Sequence, residues 1–449
     1  MSIQERVKLR ELAPKDRIYN YNEIALGLSE EELEYEANRC LQCKKPSCIK
    51  GCPAGLNIPR FIKLAREKRF NEALSEILEL NPFSATCARV CPYGFQCEGS
   101  CVLNKTGRPI AIGAIHRFIS DYGEYQMKMV SESERVKGKV AIIGGGTAGL
   151  SAAFELSRHG VDVDIYESRP VIGGLARACI PPYRLAREVL DREIVYILSH
   201  GAKIKNNITV GKDISLKDFL DLYEYVILAV GASKCWSLRL PSNGGEDFFA
   251  YSAIEFIENY MFRKKVFERG LKILIIGGGN TAIDVGRISI REGLHPVVVY
   301  RRGREQMPAL PKEIEEAEEE GVKFKFFEVP KRAILENGKF KGIEALQARL
   351  GAPDKSGRPS FEAIEGSEHF IEGDVLVSAI GQEVDPEILT GCDINLERGL
   401  LPYDFGEEFE HKVFSCGDAV TGPSVVVKAM RSGLEVARKV IEKLKNSSF

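Results

Sequence analysis

The stretch KVAIIGGGTAGLSAAFELSRHGVDVDIYES, residues 139–168, decides the fold of this chain. An apolar run predicts a buried strand, which leads through a glycine-rich turn into an apolar helix and then a second strand. Gly144, Gly146 and Gly149 make the turn, let the backbone approach a pyrophosphate and permit tight helix–strand packing, respectively. Glu167 ends the second strand, where an acid binds ribose hydroxyls. The stretch therefore predicts a Rossmann-type dinucleotide site, which we assign to FAD.

A second stretch, LKILIIGGGNTAIDVGRISIREGLHPVVVYRRGREQMPA at 271–309, repeats this arrangement. The residues at its three turn positions are Gly277, Gly279 and Ala282. Its second strand ends in Arg301 and Arg302, where the first stretch has an acid. A carboxylate repels the 2′-phosphate of NADP, whereas guanidinium groups bind it through charge-assisted hydrogen bonds. The repeat therefore predicts an NADP(H) site, and a solvated basic edge is the alternative interpretation of the arginine pair.

Eight of the twelve cysteines lie near the amino end in two runs. The runs are Cys40-x2-Cys43-x4-Cys48-x3-Cys52-Pro53 and Cys87-x3-Cys91-Pro92-x4-Cys97-x3-Cys101. Because a reducing cytosol keeps thiols from pairing, this density favours metal or redox use over disulfides. A fourth cysteine followed by proline is typical of two-cluster ferredoxins, in which that cysteine serves the other cluster. The pattern favours iron–sulfur ligation, with zinc, disulfides and plain buried thiols as alternatives.

The bulk properties exclude several classes of protein. A chain of 449 residues is too long for one core and predicts roughly three domains. The formal net charge of −2 lacks the basic excess that nucleic-acid binding needs. The amino-terminal MSIQERVKLRELAPKDR has no apolar core of a secretory signal, and no apolar stretch is long enough to span a membrane. We therefore expect a cytoplasmic enzyme with no nucleic-acid or membrane partner.

Three further segments carry expectations. Residues 58–80 have apolar side chains at helical spacing and predict one helix. The charged stretch EIEEAEEEG at 313–321 predicts a solvent-facing helix, to which we assign no function. Residues 411–441 predict a strand, a turn at Gly417 and Asp418, and one long final helix. Asp418 either bonds ribityl hydroxyls of a flavin or caps that helix.

These segments predict an α/β protein in which two Rossmann-like dinucleotide-binding domains follow an α-helical iron–sulfur domain. The order of the segments means that the NADPH domain interrupts the FAD domain. The expected bounds are 1–136 for a helical domain with two [4Fe-4S] clusters, 137–243 and 371–449 for the FAD domain, and 244–370 for the NADPH domain.

The whole chain resembles the small subunit of NADPH-dependent glutamate synthase. It also resembles the large subunit of the NADH-dependent ferredoxin:NADP oxidoreductase and the amino-terminal half of dihydropyrimidine dehydrogenase. The resemblance covers nearly all residues and rests on both cysteine runs and on six motifs. The motifs are GGGTAGL at 144–150, IPPYRLAREV at 180–189, GGGNTAIDVGR at 277–287, YRRGREQMPA at 300–309, AIGQ at 379–382 and CGDAVTGPSVVV at 416–427.

The resemblance implies a set of iron ligands. One [4Fe-4S] cluster is expected on Cys40, Cys43, Cys48 and Cys101, and the other on Cys52, Cys91, Cys97 and a non-cysteine ligand. Relatives carry Glu or Gln at that last position, where this chain has His116. We expect His116 to bind iron, and a hydrogen-bonded histidine or a solvent-completed iron are the alternatives. Cys87 is then left as a buried thiol. The other expected cofactor-binding residues are Thr147, Ala148, Gly174, Leu175, Arg184, Gly231, Asn280, Thr281, Gly381, Ser424 and Val425.

For function, the resemblance implies a flavin- and iron–sulfur-dependent NADP(H) oxidoreductase subunit that exchanges electrons with a partner subunit or ferredoxin. We name no catalytic acid or base, because hydride transfer depends on the relative placement of the cofactors. The first interpretation is a ferredoxin:NADP oxidoreductase or transhydrogenase with a small iron–sulfur flavoprotein as partner, and electron bifurcation is left open. The alternatives are the NADPH-oxidising small subunit of glutamate synthase, which feeds its large subunit, and a non-catalytic assembly subunit.

Overall fold

The computed structural model describes residues 5–127, 130–262, 264, 266–353, 358–392, 394 and 396–447. The amino-terminal part is helical, as predicted. Its helices are α1 (Pro14–Arg17), α2 (Glu30–Asn38), α3 (Ser47–Gly51), α4 (Ile58–Arg66), α5 (Phe70–Leu78), α6 (Ser84–Val90) and α7 (Ile112–Tyr122). None of the helices in the described ranges has the length and apolar character that a bilayer crossing requires.

The segment predicted as a single helix over 58–80 forms two helices, α4 and α5. Between them Lys68 adopts a left-handed conformation with φ 57°. The amides of Lys68 and Arg69 donate to the carbonyls of Ala65 and Leu64 at 3.0 and 2.9 Å. This pair of hydrogen bonds is the Schellman motif that ends helices. The break allows the apolar faces of both helices to pack into one core.

The remainder of the chain alternates strands and helices. The first set is β1 (Lys139–Ile143), α8 (Thr147–Ser157), β2 (Asp162–Glu167), α9 (Gly174–Ala178), α10 (Arg187–Leu198), β3 (Lys203–Asn206) and β4 (Tyr225–Leu228). The middle set is β5 (Lys234–Cys235), β6 (Arg239–Leu240), β7 (Phe248–Phe249), β8 (Tyr251–Ser252), α11 (Ala253–Met261), β9 (Lys272–Ile276), α12 (Asn280–Arg291), β10 (His295–Tyr300), α13 (Pro311–Glu319), β11 (Lys323–Phe326), β12 (Glu328–Glu336), β13 (Lys339–Pro353), β14 (Pro359–Ala363), β15 (His369–Glu372) and β16 (Val375–Ser378). The last set is β17 (Gln382–Glu383), β18 (Val413–Ser415), α14 (Asp418–Thr421) and α15 (Val426–Ser447).

Two five-stranded parallel sheets organise these elements. The first has the strand order β18-β4-β1-β2-β3, and the second has the order β11-β10-β9-β16-β8. β18 follows the whole second sheet in sequence, yet it pairs in parallel with β4 of the first sheet. The second Rossmann-like unit is therefore inserted into the first, which confirms the predicted fold class.

The predicted domain boundary at 370/371 falls inside β15 and before β16, and both strands pair with strands of the inserted part. β16 pairs in parallel with β9, with Val377 opposite Ile275, so it belongs to the second sheet. Buried parallel strands are apolar throughout, so the sequence of β16 does not indicate which of the two sheets it belongs to. The turn after β16 contacts the second phosphate loop, because a Cβ on Gly277 would lie 2.3 Å from the carbonyl oxygen of Ala379.

The segment predicted as one long final helix is also divided. α14 ends at Thr421, and α15 begins at Val426. Between them Gly422 has a φ of 78°, and Pro423 lacks the amide hydrogen that a continuing helix would need. The amino end of α15 therefore lies beyond Asp418, at the residues Ser424 and Val425.

Glu193 on α10 joins the helical domain to the first Rossmann-like unit. Its buried carboxylate accepts hydrogen bonds from the backbone amides of Ala85 and Thr86 and from the Thr86 hydroxyl. Burial raises the pKa of Glu193 from its ordinary value of 4.5 to about 7, and these hydrogen bonds oppose the rise. The contact fixes α6, which carries the first cysteine of the second run, against the flavin-binding half of the molecule.

This raised pKa predicts a pH dependence of stability. A group whose folded pKa exceeds its unfolded pKa contributes stability that is complete below about 4.5 and lost as the pH rises through about 7. We therefore expect the free energy of unfolding to fall less for Glu193→Gln than for the unaltered protein between about pH 5 and pH 7.5. Urea unfolding across this range measures the difference, and identical pH profiles would contradict the assignment.

Candidate functional site

A cleft of 380 Å³ lies between the two Rossmann-like units. Its walls come from the first phosphate loop, the end of β2, α9, the junction of α14 and α15, and the start of α12. The cleft brings together predicted residues from segments far apart in sequence. These are Gly144, Gly146, Thr147, Ala148, Glu167, Gly174, Leu175, Arg184, Gly231, Asn280, Thr281, Asp418, Ser424 and Val425. The others lie outside its lining: Gly149, Gly277, Gly279, Ala282, Arg301, Arg302, Gly381 and Gly417.

The first phosphate loop is tight enough to require glycine at two of its positions. Gly144 has a φ of 105°, and a Cβ there would lie 2.4 Å from the carbonyl oxygen of Ala229. A Cβ on Gly149 would lie 2.0 Å from the carbonyl oxygen of Gly144. Gly149 thus acts behind the cleft by allowing α8 to pack against β1. The amino end of α8 consequently opens toward the cleft, where its amides favour an anionic phosphate.

Two acids in the cleft fit the polar part of a flavin nucleotide. Glu167 is buried, and its carboxylate accepts hydrogen bonds from the amides of Gly145 and Arg169, both at 2.9 Å. Burial raises the pKa of Asp418 to about 6, while a hydrogen bond from Ser424 opposes the rise. Its Oδ1 atom is buried without a hydrogen-bond partner. A buried oxygen of this kind calls for a donor, which a ribityl hydroxyl supplies.

The second phosphate loop is buttressed by the segment that follows β10. The amide of Leu310 donates to Oδ1 of Asn280 at 2.9 Å, and the amide of Ala309 donates to the carbonyl of Gly278 at 3.1 Å. The motif YRRGREQMPA therefore folds back onto the loop GGGN. This contact holds the end of β10, with its arginines, close to the dinucleotide-binding turn.

The structure separates the roles of the two arginines. Arg301 is exposed at the end of β10, and its guanidinium lies 4.5 Å from the ring centre of Phe361. Arg302 is buried, and its Nε donates to the carbonyl of Pro359 at 2.6 Å. Sequence alone presents the pair as equivalent, because the hydrogen bond of the buried Arg302 reaches a hairpin that is distant in the chain.

Arg184 lies at the floor of the cleft and binds across the two units. Its guanidinium forms ion pairs with Asp284 on α12 at 2.8 Å and with Glu313 on α13 at 2.6 Å. The neighbouring Tyr183 hydroxyl also donates to Asp284, at 3.3 Å. Burial raises the pKa of Asp284 above its ordinary range and that of Glu313 to about 7. Through these ion pairs Arg184 anchors the IPPYRL segment to the second unit.

The predicted solvent-facing helix at 313–321 is wrong in part. α13 spans Pro311–Glu319, and Glu313 pairs with Arg184 at the floor of the cleft instead of facing solvent. Glu320, directly after the helix, is buried between Arg287 and Arg291. The sequence pattern did not single out these acids or Asp284. The sequence does contain one indication of these ion pairs. The otherwise apolar pattern of α12 includes an acid and an arginine, and charged side chains that are buried require partners of opposite charge.

The first cysteine pocket contains four of the predicted ligands. Cys40, Cys43, Cys48 and Cys101 line one pocket, so the second run contributes its last cysteine to the first run's site. The hydroxyl of Ser47 donates to the carbonyl of Ser100 at 2.6 Å and ties the two runs together. Four thiols around one small apolar pocket suit the thiolate ligation that iron–sulfur clusters require.

A second cysteine pocket lies beside the first. Cys52, Cys91, Cys97 and His116 line it, and so does Cys87, which we expected to be left over. Cys87 and Cys91 are close enough to share a hydrogen bond, which is the largest cause of the raised pKa of Cys91. The pocket therefore offers five candidate ligands, and a cubane cluster needs four.

A buried hydrogen-bond network holds the ring of His116. Ser120 Oγ donates to the carbonyl of His116 at 2.9 Å, and Ser84 Oγ lies 2.7 Å from Ser120 Oγ and 2.9 Å from His116 Nε2. All three contacts are satisfied together when Ser84 donates to Ser120 and accepts from Nε2–H. Burial, with a smaller effect of Arg89, lowers the pKa of His116 to about 3. The ring is thus neutral, and the network leaves the Nδ1 lone pair for a ligand.

Fold and site together define an oxidoreductase that uses FAD, NADP(H) and [4Fe-4S] chemistry. Residues 138–433 match the family described as pyridine nucleotide-disulphide oxidoreductase, and residues 17–128 match the family described as dihydropyrimidine dehydrogenase domain II, 4Fe-4S cluster. The glutamate synthase [NADPH] small chain of Escherichia coli is 34% identical over 445 residues, with 94% of each chain covered. The chain belongs to the family of the glutamate synthase small chain, as the sequence resemblance predicted.

Two further proteins match large parts of this chain. The NADPH-Fe(3+) oxidoreductase subunit beta of Geobacter sulfurreducens is 38% identical over 427 residues, which cover 88% of this chain and 63% of that protein. The solved structure of Mycobacterium tuberculosis FprA in complex with NADPH superposes with a TM-score of 0.59 at 18% identity. That superposition covers 70% of this chain and 85% of FprA, and it shows a shared fold.

Proposed function

We propose that this chain is the cytoplasmic NADP(H)-binding subunit of a ferredoxin:NADP oxidoreductase or transhydrogenase, and that it exchanges single electrons with ferredoxin or a partner subunit. The observation that carries the proposal is the serial arrangement of the cleft and the two cysteine pockets. An electron-transfer subunit needs such a series, because electrons must leave the flavin for a surface that a partner can reach. An enzyme that reduces its final acceptor directly at the flavin needs no electron path to its surface.

The order of the three sites follows from the residues that they share. Val90, next to Cys91, lines the cleft, and α15 contributes Val426 to the cleft and Val427 to the second cysteine pocket. The second pocket is therefore next to the flavin cleft. Ile58 and Ile112 line both cysteine pockets, so the first pocket follows the second. The first pocket lies farther from the cleft and is bordered by exposed residues.

When bound, FAD takes up hydride from NADPH, and [4Fe-4S] clusters carry electrons one at a time. We propose that Cys40, Cys43, Cys48 and Cys101 hold one cluster, and that Cys52, Cys91, Cys97 and His116 hold the other. Under this proposal Cys87 supports Cys91 without binding iron. Arg184 and its partners fix the floor of the cleft and set the separation of the two nucleotide sites. The phosphate loops and α15 orient the nucleotides, and no side chain is required to move a proton.

The exposed arginine predicts the selectivity for NADP. We expect Arg301→Ala to weaken NADPH binding by about tenfold and to leave NADH binding unchanged, because a charge-assisted hydrogen bond to the 2′-phosphate is lost. Arg304→Ala is the matched control, since Arg304 lies in the same loop and pairs with Glu318. Dissociation constants for both nucleotides measure the effect. An equal loss of NADPH and NADH affinity in Arg301→Ala would contradict the phosphate role.

The ligand role of His116 has a spectroscopic test. We expect His116→Ala to change the EPR spectrum and midpoint potential of one cluster and to leave the other unchanged, because only the second pocket contains the ring. Ser84→Ala removes the hydrogen-bond partner of Nε2 and should shift the same signal by a smaller amount. If Cys87→Ala changes that signal and His116→Ala does not, the ligand set is the four-cysteine one.

A second candidate is the NADPH-oxidising small subunit of glutamate synthase. The similarity to the Escherichia coli small chain favours it, because the alignment covers 94% of both proteins and leaves no large domain unmatched. In that case the partner would be a large subunit that carries the glutamine and 2-oxoglutarate chemistry.

One pair of assays separates the two candidates. The proposed function predicts that the purified chain, with its native partner, produces NADPH from NADP+ and reduced ferredoxin. It also predicts no glutamine- and 2-oxoglutarate-dependent oxidation of NADPH. NADPH oxidation that requires both glutamine and 2-oxoglutarate, together with no ferredoxin-driven NADPH formation, would contradict the proposed function and support the second candidate.

A further inference from the structure

The two segments that form the first cysteine pocket have an unusual charge. Residues 39–66 and 99–120 contain no Asp or Glu, although the whole chain has 64 acids and 62 lysines and arginines. The first of these segments alone carries seven lysines and arginines. A nearly neutral protein thus concentrates positive charge at its cysteine sites, which would themselves hold anionic thiolates. Positive charge near the thiolates that bind a cluster would offset their negative charge, but this role does not require lysines that are exposed to solvent.

Four of these lysines lie on the surface around the pocket. Lys44 and Lys45 follow Cys43 directly, Lys50 lies in the last turn of α3, and Lys105 follows Cys101 in the adjoining turn. All four are exposed. Within the part of the chain that the structure describes, none of them forms an ion pair, whereas exposed arginines elsewhere, such as Arg69, do. The basic surface is therefore uncompensated and produces a positive potential.

Exposed apolar side chains lie inside this basic surface. Leu41 and Val102 line the first cysteine pocket and are 61% and 40% exposed. Phe95, between Cys91 and Cys97 of the second run, is 74% exposed. Large apolar side chains that border a redox site and face solvent are typical of a contact surface, and a surrounding ring of one charge gives that surface orientation and a fast association rate.

We propose that Leu41, Lys44, Lys45, Val102 and Lys105, together called the cluster rim, form the docking surface for an acidic one-electron carrier protein of ferredoxin chemistry. The proposal rests on the proposed function and adds the place and charge of the contact. Two reduced carriers, one NADP+ and one proton give two oxidised carriers and one NADPH, so electrons and charge balance. The carrier docks at the pocket farther from the flavin cleft, which keeps it clear of the nucleotide.

The test is the binding of a purified acidic [2Fe-2S] ferredoxin to the anaerobically purified holoprotein, measured by calorimetry without turnover. We expect Lys44→Glu/Lys45→Glu to weaken binding by about tenfold or more, because two attractions become repulsions. Lys339→Glu/Lys341→Glu is the matched control, since these lysines are exposed in the β12–β13 hairpin, and it should bind as the unaltered protein does. Iron and sulfide content shows whether the first pocket of the rim variant is intact.

A second measurement needs no substitution. Binding of the ferredoxin to the unaltered protein should weaken as salt is raised, and a basic cytochrome c at the same concentrations should not bind. Equal affinities for the rim and control variants, or a salt-independent affinity, would overturn the docking surface. If ferredoxin binds through the rim yet reduced ferredoxin and NADP+ yield no NADPH, the proposed function fails and the docking surface stands.

Discussion

Replacing Cys48 with alanine is expected to remove one cluster and to disconnect NADP(H) from the external carrier. Cys48 lines the first cysteine pocket together with three further thiols, and a cubane cluster cannot be held by three protein ligands without loss of stability. We expect iron and acid-labile sulfide to fall by about half and ferredoxin-driven NADPH formation to fall by about a hundredfold or more. Reduction of ferricyanide by NADPH should continue, because the cleft is untouched.

Cys392→Ala is the control for this experiment. Cys392 lies in the flavin-binding half, outside the lining of both cysteine pockets. Its removal should leave iron content and both activities unchanged. An undiminished ferredoxin-driven rate in Cys48→Ala, at half the iron content, would contradict the serial arrangement of the pockets.

The largest expected effect on stability is that of Arg287→Met. Arg287 is fully buried on α12, where its guanidinium pairs with Glu320 at 2.7 Å and with Glu316 at 2.8 Å. It also lies 4.7 Å from the ring centre of Tyr183, which comes from the other unit. Removing Arg287 leaves Glu320 with Arg291 alone and takes away the closest partner of Glu316, so we expect a loss of about 3 kcal/mol in the free energy of unfolding.

An exposed pair in the same unit serves as the control for Arg287. Arg349 pairs with Glu362 at 3.0 Å with both side chains largely exposed, so Arg349→Met should cost less than about 1 kcal/mol. The double variant Arg287→Met/Glu316→Leu should regain part of the loss, because the carboxylate that loses its closest partner is removed as well. Urea unfolding followed by circular dichroism measures all three. Equal losses for Arg287→Met and Arg349→Met would contradict the importance of burial.

The sequence predicts the parts of this fold that depend on local chemistry. The glycine spacing specifies both phosphate loops, because a Cβ at Gly144 or Gly149 would collide with backbone atoms. The resemblance places Cys101 with the first cysteine run, and the structure brings it to the pocket of Cys40, Cys43 and Cys48. For the phosphate loops the residue type and its spacing determine the geometry, whereas the place of Cys101 is what the resemblance implies.

Features that depend on distant contacts are not visible in the sequence. Lysine has no preference for the left-handed conformation that Lys68 adopts, and the packing of α4 and α5 imposes it. Arg301 and Arg302 are identical residues, and the carbonyl of Pro359 in a distant hairpin accepts a hydrogen bond from the buried Arg302. Likewise, Glu313 of α13 pairs with Arg184, which comes from the other unit.

The most direct test of the account counts the electrons that the chain can deliver to NADP+. The anaerobic holoprotein is photoreduced to completion without excess reductant and then mixed with NADP+ while absorbance and EPR are recorded. A flavin that stores two electrons and two clusters that store one each predict about two NADPH per chain, with loss of both cluster signals. About one NADPH per chain, with cluster signals that persist, would contradict the claim that flavin and clusters form one connected series.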